Sequence, residues 1–346
     1  MRRILLSSTS VISGLTAAMV GGLVAGASPA FAEVMVGGDG YFGAALGTYD
    51  DDGIFDTRNG ELSTYVFVYD LDFDFTATGT SDSGLTFGAA ADIDDIGEGQ
   101  SQGPLGYNGE MFVSGDFGTL AMGDIDGSAE QVIGDLAGVG ITGLGDFNEM
   151  LYLISSAPPP SGSPVATYTY EIESLTLGLG VTDDQDWTVG AGYEGSFWSV
   201  GIGYESILQG TEITVRDAGD FTNQAITVIA QDDAHQTIAQ ASVTFSGVTL
   251  KGSYGLIDAS GTGDIDQWGF SAAYDWQAWS FAGYYRQFNV DYDDPTIADL
   301  DDTYAGVGAF YDLGGGLEIG GGVSQWDFSA LPSKYVVADF GLTFDF

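Results

Sequence analysis

From Glu33 onward, hydrophobic and polar residues alternate with a period of two, broken by clusters of Gly, Asp and Ser. Residues 65–75 read Tyr-Val-Phe-Val-Tyr-Asp-Leu-Asp-Phe-Asp-Phe, with an aromatic or aliphatic side chain at every odd position. Successive strand residues point to opposite faces, so this run sets one face in an apolar phase and the other in a polar one. No long 3.6-period segment competes, and the chain reads as all-β. Sixteen strands are predicted, near 34–48, 60–78, 85–95, 107–114, 119–124, 164–173, 175–182 and 187–194, then 197–208, 234–246, 248–257, 266–276, 279–290, 303–313, 317–327 and 334–346.

The connections sort by length. Short ones lie at 79–84, 115–118, 174, 195–196, 247, 277–278 and 314–316, and long ones near 49–59, 96–106, 124–163, 209–233, 258–265, 291–302 and 328–333, with a brief one at 183–186. An even strand number with short turns at one end and long loops at the other predicts a 16-stranded antiparallel transmembrane β-barrel. In the last strand Phe346, Phe344, Leu342, Phe340, Ala338 and Val336 share the face expected toward lipid, while Asp345, Thr343, Gly341 and Asp339 share the other. Trp279, Phe281 and Tyr285 are expected to face lipid near the interfaces, and no acid is expected to do so at mid-depth.

The stretch from Asp124 to Ser163 breaks the pattern. It holds one predicted helical turn (Ser128 to Ile133), the acids Glu130, Asp135, Asp146 and Glu149, an apolar tail Met150 to Ile154, and Pro158-Pro159-Pro160. So long a loop in a compact domain is expected to be functional. This one is expected to fold into the barrel and narrow it, with its apolar tail packed on the wall.

The N-terminus predicts a cleaved signal peptide: Arg2 and Arg3, an apolar small-residue run from Val11 to Ala27, then Ala30-Phe31-Ala32 as the cleavage box. Residues 1–32 would be removed and 33–346 would form the barrel. The chain has no cysteine, which excludes thiol chemistry and Cys-ligated metals. With Arg2 and Arg3 gone, five basic side chains face 50 acidic ones. That balance excludes nucleic acid as a partner and favours cations, or a saline habitat. The abundant aromatics argue against a disordered acidic chain.

A cleaved signal, strands running to the terminus and a final Phe346 resemble Gram-negative outer-membrane proteins, in which such an aromatic end looks like a signal to the barrel-assembly machinery. Gly115-Asp116-Phe117-Gly118-Thr119-Leu120-Ala121-Met122-Gly123 is similar to the turn and strand before the constriction loop of general diffusion porins. Gly84-Leu85-Thr86-Phe87-Gly88-Ala89-Ala90 resembles their third strand, especially in the alphaproteobacterial branch. The resemblance implies a sixteen-stranded barrel, usually a homotrimer in outer-membrane lipid, whose third long loop folds inward as an eyelet. Asp124 to Ser163 falls at that place. The family usually opposes this loop with Arg and Lys on the wall. Here the inward positions of the second and third strands are Asp70, Asp72, Asp74, Asp92 and Asp94, and Asp124 follows Gly123 where the family often has Arg. Only Lys251 and Arg286 are expected to be inward, basic and within strands; they are read as partners of lumen acids or as a selective patch.

Rings of carboxylates make a pore cation-selective, and crowded ones raise one another's pKa, so selectivity should fall on acidification. The wall aspartates either shape conductance in this way or only wet the lumen. Asp50, Asp51 and Asp52, and the cluster Asp92, Asp94, Asp95 and Glu98, are weak candidates for Ca²⁺ or Mg²⁺, without EF-hand spacing; no cofactor is required. Gly178-Leu179-Gly180 sits in a strand with no following helix and is no phosphate loop. His235, the sole histidine, has no Cys or recognisable Ser motif near it and reads as a rim residue, not a catalytic one. The leading function is passive diffusion of small hydrophilic solutes and ions, with a preference for cations. The alternatives are a channel selective for a cationic or metal-complexed nutrient and an acidic, divalent-cation-dependent surface protein with no open lumen.

Overall fold

The computed structural model describes residues 33–47, 64–93, 107–154, 165–208, 212–216, 226–229, 233–329 and 334–346. Its first nine strands are β1 (Glu33–Gly47), β2 (Thr64–Thr80), β3 (Thr86–Ile93), β4 (Tyr107–Gly115), β5 (Gly118–Gly123), β6 (Val165–Ile172), β7 (Leu175–Thr182), β8 (Trp187–Glu194) and β9 (Trp198–Ile207). Two short strands follow, β10 (Glu212–Arg216) and β11 (Ile226–Ile229). The rest are β12 (Ala234–Phe245), β13 (Val248–Ala259), β14 (Gly263–Trp276), β15 (Trp279–Tyr292), β16 (Leu300–Gly314), β17 (Leu317–Asp327) and β18 (Lys334–Asp345). Among the described residues, one helix, α1 (Ser128–Ile133), lies between β5 and β6.

All strands but β10 and β11 form one closed antiparallel barrel in which β1 pairs with both β2 and β18. That gives the sixteen expected strands. Closure removes the free edges that an open sheet would leave unpaired in lipid. β10 and β11 pair only with each other, so the connection 209–233, expected as plain loop, carries a small hairpin. The terminal carboxyl strand is tied in by two backbone bonds between Gly38 and Phe346, at 3.1 and 2.9 Å. The Phe346 ring meets Phe73 and stacks on Phe344.

The period-2 pattern sets the faces. Phe67 (81% exposed), Phe340, Phe270 and Val307 point outward, while their chain neighbours point into the barrel. Trp279 and Phe281 are exposed on the outer face, and Tyr285 stacks there on Phe270 and meets Trp268 at a tilt. Asp264 and Asp266 share the face of Trp268 and Phe270, but at the loop end of β14.

The inner face is not uniformly polar. Ile238, Ile257, Ile265, Phe288, Val290, Tyr304, Trp326 and Val337 are all buried on it, together with Leu136, Val139, Leu144, Phe147, Met150 and Tyr152 of the long loop. The molecule's core therefore lies inside the barrel, between β12–β18 and the loop.

Candidate functional site: a loop seated on the inner wall

The segment after β5 follows the inner wall. At its root, Ile125 and Ile154 pack with Phe112, Ala121 and Val165. α1 comes next. Its six residues cannot satisfy their own end groups, and neither end carries a side-chain cap of its own. The wall supplies both. The Ala129 N–H donates to Oγ1 of Thr188 on β8 at 3.0 Å. Lys251 on β13 donates from Nζ to the Ile133 carbonyl at 2.6 Å and the Asp135 carbonyl at 2.7 Å. Gly134 ends the helix with φ +56°, a conformation that costs glycine nothing.

The loop then runs past β14, β16 and β17 to β18. Its tip is held by Asp339 of β18, whose Oδ2 accepts from the Thr142 N–H at 2.8 Å and the Thr142 hydroxyl at 2.9 Å. Oδ1 of the same carboxylate accepts from the Gly322 N–H of β17 at 2.9 Å. The chain reverses through Gly143, Leu144, Gly145 and Asp146, all with φ between 50° and 86°. Leu144 and Asp146 bear that strain, about 1–2 kcal/mol each. Phe147 offsets it by stacking on Tyr304 at 4.8 Å beside Trp326 and Phe328.

The returning arm lies against the outgoing one. Asn148 Nδ2 donates to the Leu136 carbonyl at 2.9 Å, and the Met150 N–H donates to Asp135 Oδ1 at 2.8 Å. The Leu151 peptide is gripped by Gln236 of β12 and Gln267 of β14, and the Leu153 N–H donates to Glu205 Oε2 of β9 at 2.6 Å. The expected packing of Met150 to Ile154 on the wall is observed.

Close approach requires glycine on the wall. A Cβ on Gly190 would lie 2.2 Å from the Ser128 carbonyl oxygen, and one on Gly203 would lie 2.5 Å from Ala129 Cβ. At Gly269 it would lie 2.5 Å from Leu136 Cδ1, and at Gly43 or Gly341 it would lie 2.6 Å from Ile141 Cδ1. Real Cβ contacts do not come so close, so the seat is cut to the loop's backbone.

The acids expected to line the pore are not in one ring. Gly43, at the tip's level, pairs with Val68, and Asp70, Asp72 and Asp74 follow on β2 toward the short-turn end. They step away from that level by about 7, 13 and 20 Å along the strand. Asp72 faces Asp39 across the ladder, and Asp39 faces Asp345 on its other side. Asp92 pairs with Asp74, though only its backbone is described. Asp94, Asp50, Asp51, Asp52, Asp95, Glu98 and residues 155–163 lie outside the described residues.

On the loop, Asp124, Glu130, Asp135, Asp146 and Glu149 are half-buried. Burial first, then the Asp126 and Asp135 carboxylates, pushes Glu130 well above the ordinary carboxylate range. Burial also raises Asp135, against the opposing Met150 N–H and Lys251 charge.

Lys251 bonds the loop directly, and Arg286 bonds Gln267, the wall residue that holds Leu151. Arg286 is 7% exposed, with its guanidinium over the Phe288 and Tyr304 rings and a bond of 3.2 Å to Gln267 Oε1. His235 pairs with Asp233 at 3.1 Å and stacks on Tyr204. Among the described residues, no three His, Asp or Glu side chains are arranged to hold a metal ion.

Thr188, Glu205, Gln236 and Gln267 are not singled out by the sequence, and Asp339 is read there as an inward-face residue of the last strand. The readable signal is an inverted phase of the alternation at Ile265-Asp266 and Phe288-Asn289-Val290, where inward positions turn apolar and outward ones polar.

A family model described as Gram-negative porin matches residues 14–331. A porin of Rhodobacter capsulatus is 30% identical over 338 residues, spanning 91% of this chain and all of that one. The chain belongs to the Gram-negative porin family. A solved porin structure at 29% identity superposes with a TM-score of 0.67, covering 91% of this chain and all of its own. A mutant Rh. blastica porin, 21% identical with a TM-score of 0.60 over the same shares, is alike in fold. This porin is thus an outer-membrane channel protein of the diffusion type, not an enzyme, and its strands make the crossing.

Proposed function

We propose that this porin passes small hydrophilic solutes and ions by passive diffusion with a preference for cations, through a lumen narrowed by the loop at 124–163. One observation carries the reading. Among the described residues, the basic side chains on inward strand positions are Lys251, which bonds the loop, and Arg286, which bonds the wall residue Gln267, whereas Asp39, Asp70, Asp72 and Asp74 occupy inward positions of β1 and β2. Lys334, a third described base, is paired with Asp327 at 2.7 Å. Two like charges ~7 Å apart interact by roughly 0.6 kcal/mol at water-like dielectric, and several-fold more where low-dielectric walls focus the field. A column of carboxylates therefore raises the local cation concentration, less so at high salt, where the Debye length shrinks below about 8 Å.

The rest of the proposal follows the family resemblance: cleavage after Ala32, assembly read from Phe346 and a homotrimer in lipid. Divalent cations would act at the acidic loops as exchangeable counter-ions. Flux of size-matched cationic, neutral and anionic solutes into liposomes tests the function. A cation-over-anion order without saturation is expected. Saturable uptake of one solute would favour the nutrient-selective alternative, and an anion-first order would refute the proposal. Shortening the loop within 134–147 should raise conductance; unchanged conductance would deny it the role of constriction.

A further inference from the structure

The peptide of Leu151 is bound as a strand neighbour would bind it, but by side chains. Gln267 Oε1 accepts from the Leu151 N–H at 2.8 Å, and Gln267 Nε2 donates to the Leu151 carbonyl at 2.7 Å. Gln236 Nε2 donates to the same carbonyl at 2.6 Å, so both of its lone pairs are used. Both glutamines are fully buried. An amide can flip, and a flipped Gln267 would set donor against donor and acceptor against acceptor. Arg286 forbids the flip, because its guanidinium donates to Gln267 Oε1 and has no acceptor for the Nε2 protons a flip would turn toward it.

We propose that Gln267 is the positioning residue that fixes how far the loop's returning arm stands from the wall, with Arg286 acting through it. Neither side chain has to touch the permeating solute. The wall grips the loop by its backbone here, so the grip does not depend on the Leu151 side chain. Glu205 holds the next anchored amide, Leu153, by a separate bond, which supplies an internal reference. The consequence for the channel rests on the reading of the loop as its constriction. The grip on Leu151 does not.

The test is hydrogen exchange at single amides of the full-length folded porin in detergent, with single-channel recording of the same samples. Gln267→Met keeps the length and removes both bonds. Exchange at Leu151 should quicken about tenfold to a hundredfold, the usual effect of leaving a buried polar group without its partner. Leu153 should change much less, and open-channel current should become noisier. Arg286→Met should quicken Leu151 in the wild-type background and add nothing to Gln267→Met. Gln267→Glu keeps the acceptor but turns a carboxylate oxygen toward the Leu151 carbonyl, and should resemble Gln267→Met despite its near-identical shape. Unchanged Leu151 exchange in a folded Gln267→Met or Gln267→Glu variant overturns the proposal. So does an Arg286→Met effect that simply adds. Altered exchange with unaltered current would uphold the grip of Gln267 and count against the loop as the constriction. A folded wild-type protein that carries no current would refute the pore reading, and the exchange comparison would still decide whether Gln267 holds Leu151.

Discussion

Lys251, on the barrel wall, donates from its Nζ to the carbonyl of Ile133, the last residue of α1, at 2.6 Å. A six-residue helix ends in carbonyls with no intrahelical partner and a partial negative charge. The ammonium answers both needs. The same contact turns the Lys251 ammonium toward the loop's backbone, with a second bond of 2.7 Å to the Asp135 carbonyl.

Lys251→Met should leave the Ile133 and Asp135 carbonyls without their donor and weaken the seat by about 1–3 kcal/mol. Single-channel traces should show added open-state noise, with little change in ion preference. A large shift in preference with a quiet trace would mean that Lys251 faces the permeating ions instead.

Gly203→Val should displace α1, since even a single Cβ there would lie 2.5 Å from Ala129 Cβ. Overpacking of this kind costs about 1–3 kcal/mol. Protease cleavage between 124 and 154 should accelerate in the variant. Gly252→Ala, at a position where the nearest atom would be 3.8 Å away, should cleave like wild type. Equal cleavage of all three proteins would count against the glycine-cut seat.

The barrel was legible in the sequence because a strand at a lipid boundary must alternate, and β7, β8 and β17 fall where the pattern puts them. Ends were less legible. β14 starts at Gly263, not near 266, and β16 at Leu300, not near 303, because these strands extend past the apolar zone on polar residues such as Asp264 and Asp301. The helical turn of α1 and the apolar tail of the loop were also readable. The seat was not, because it depends on pairs far apart in the chain: Leu151 with Gln267, Thr142 with Asp339, Ala129 with Thr188. A lumen-facing Gln or Asp reads as wetted by water until the loop is placed over it. Lys251 and Arg286 were visible as inward bases, but the bonds of Lys251 to the loop and of Arg286 to Gln267 were not.

Acidification should tighten the helical part of the loop. Burial holds Glu130 protonated to a higher pH than an unfolded glutamate would be. Its contribution is therefore fully present below the unfolded value and is lost as pH rises through the raised one. Exchange at the α1 amides should slow as pH falls, after correction for intrinsic rates, and Glu130→Gln should flatten that dependence. An equally steep profile in Glu130→Gln would assign the effect to another group.

Phe147→Ala should free the tip from Tyr304, Trp326 and Phe328, at a cost of about 3–5 kcal/mol for a buried aromatic. A spin label or fluorophore at Thr142 should gain mobility, while the Leu153 amide stays protected. Loss of protection along the whole loop would show that tip and returning arm release as one unit.

The reversal potential of the purified wild-type protein in a planar bilayer under a tenfold KCl gradient measures directly whether the lumen prefers cations. A stable open channel reversing well toward the potassium equilibrium potential is expected, with that preference reduced when Asp70, Asp72 and Asp74 are changed together to Asn. A reversal near zero or toward chloride in the wild type would contradict the cation preference.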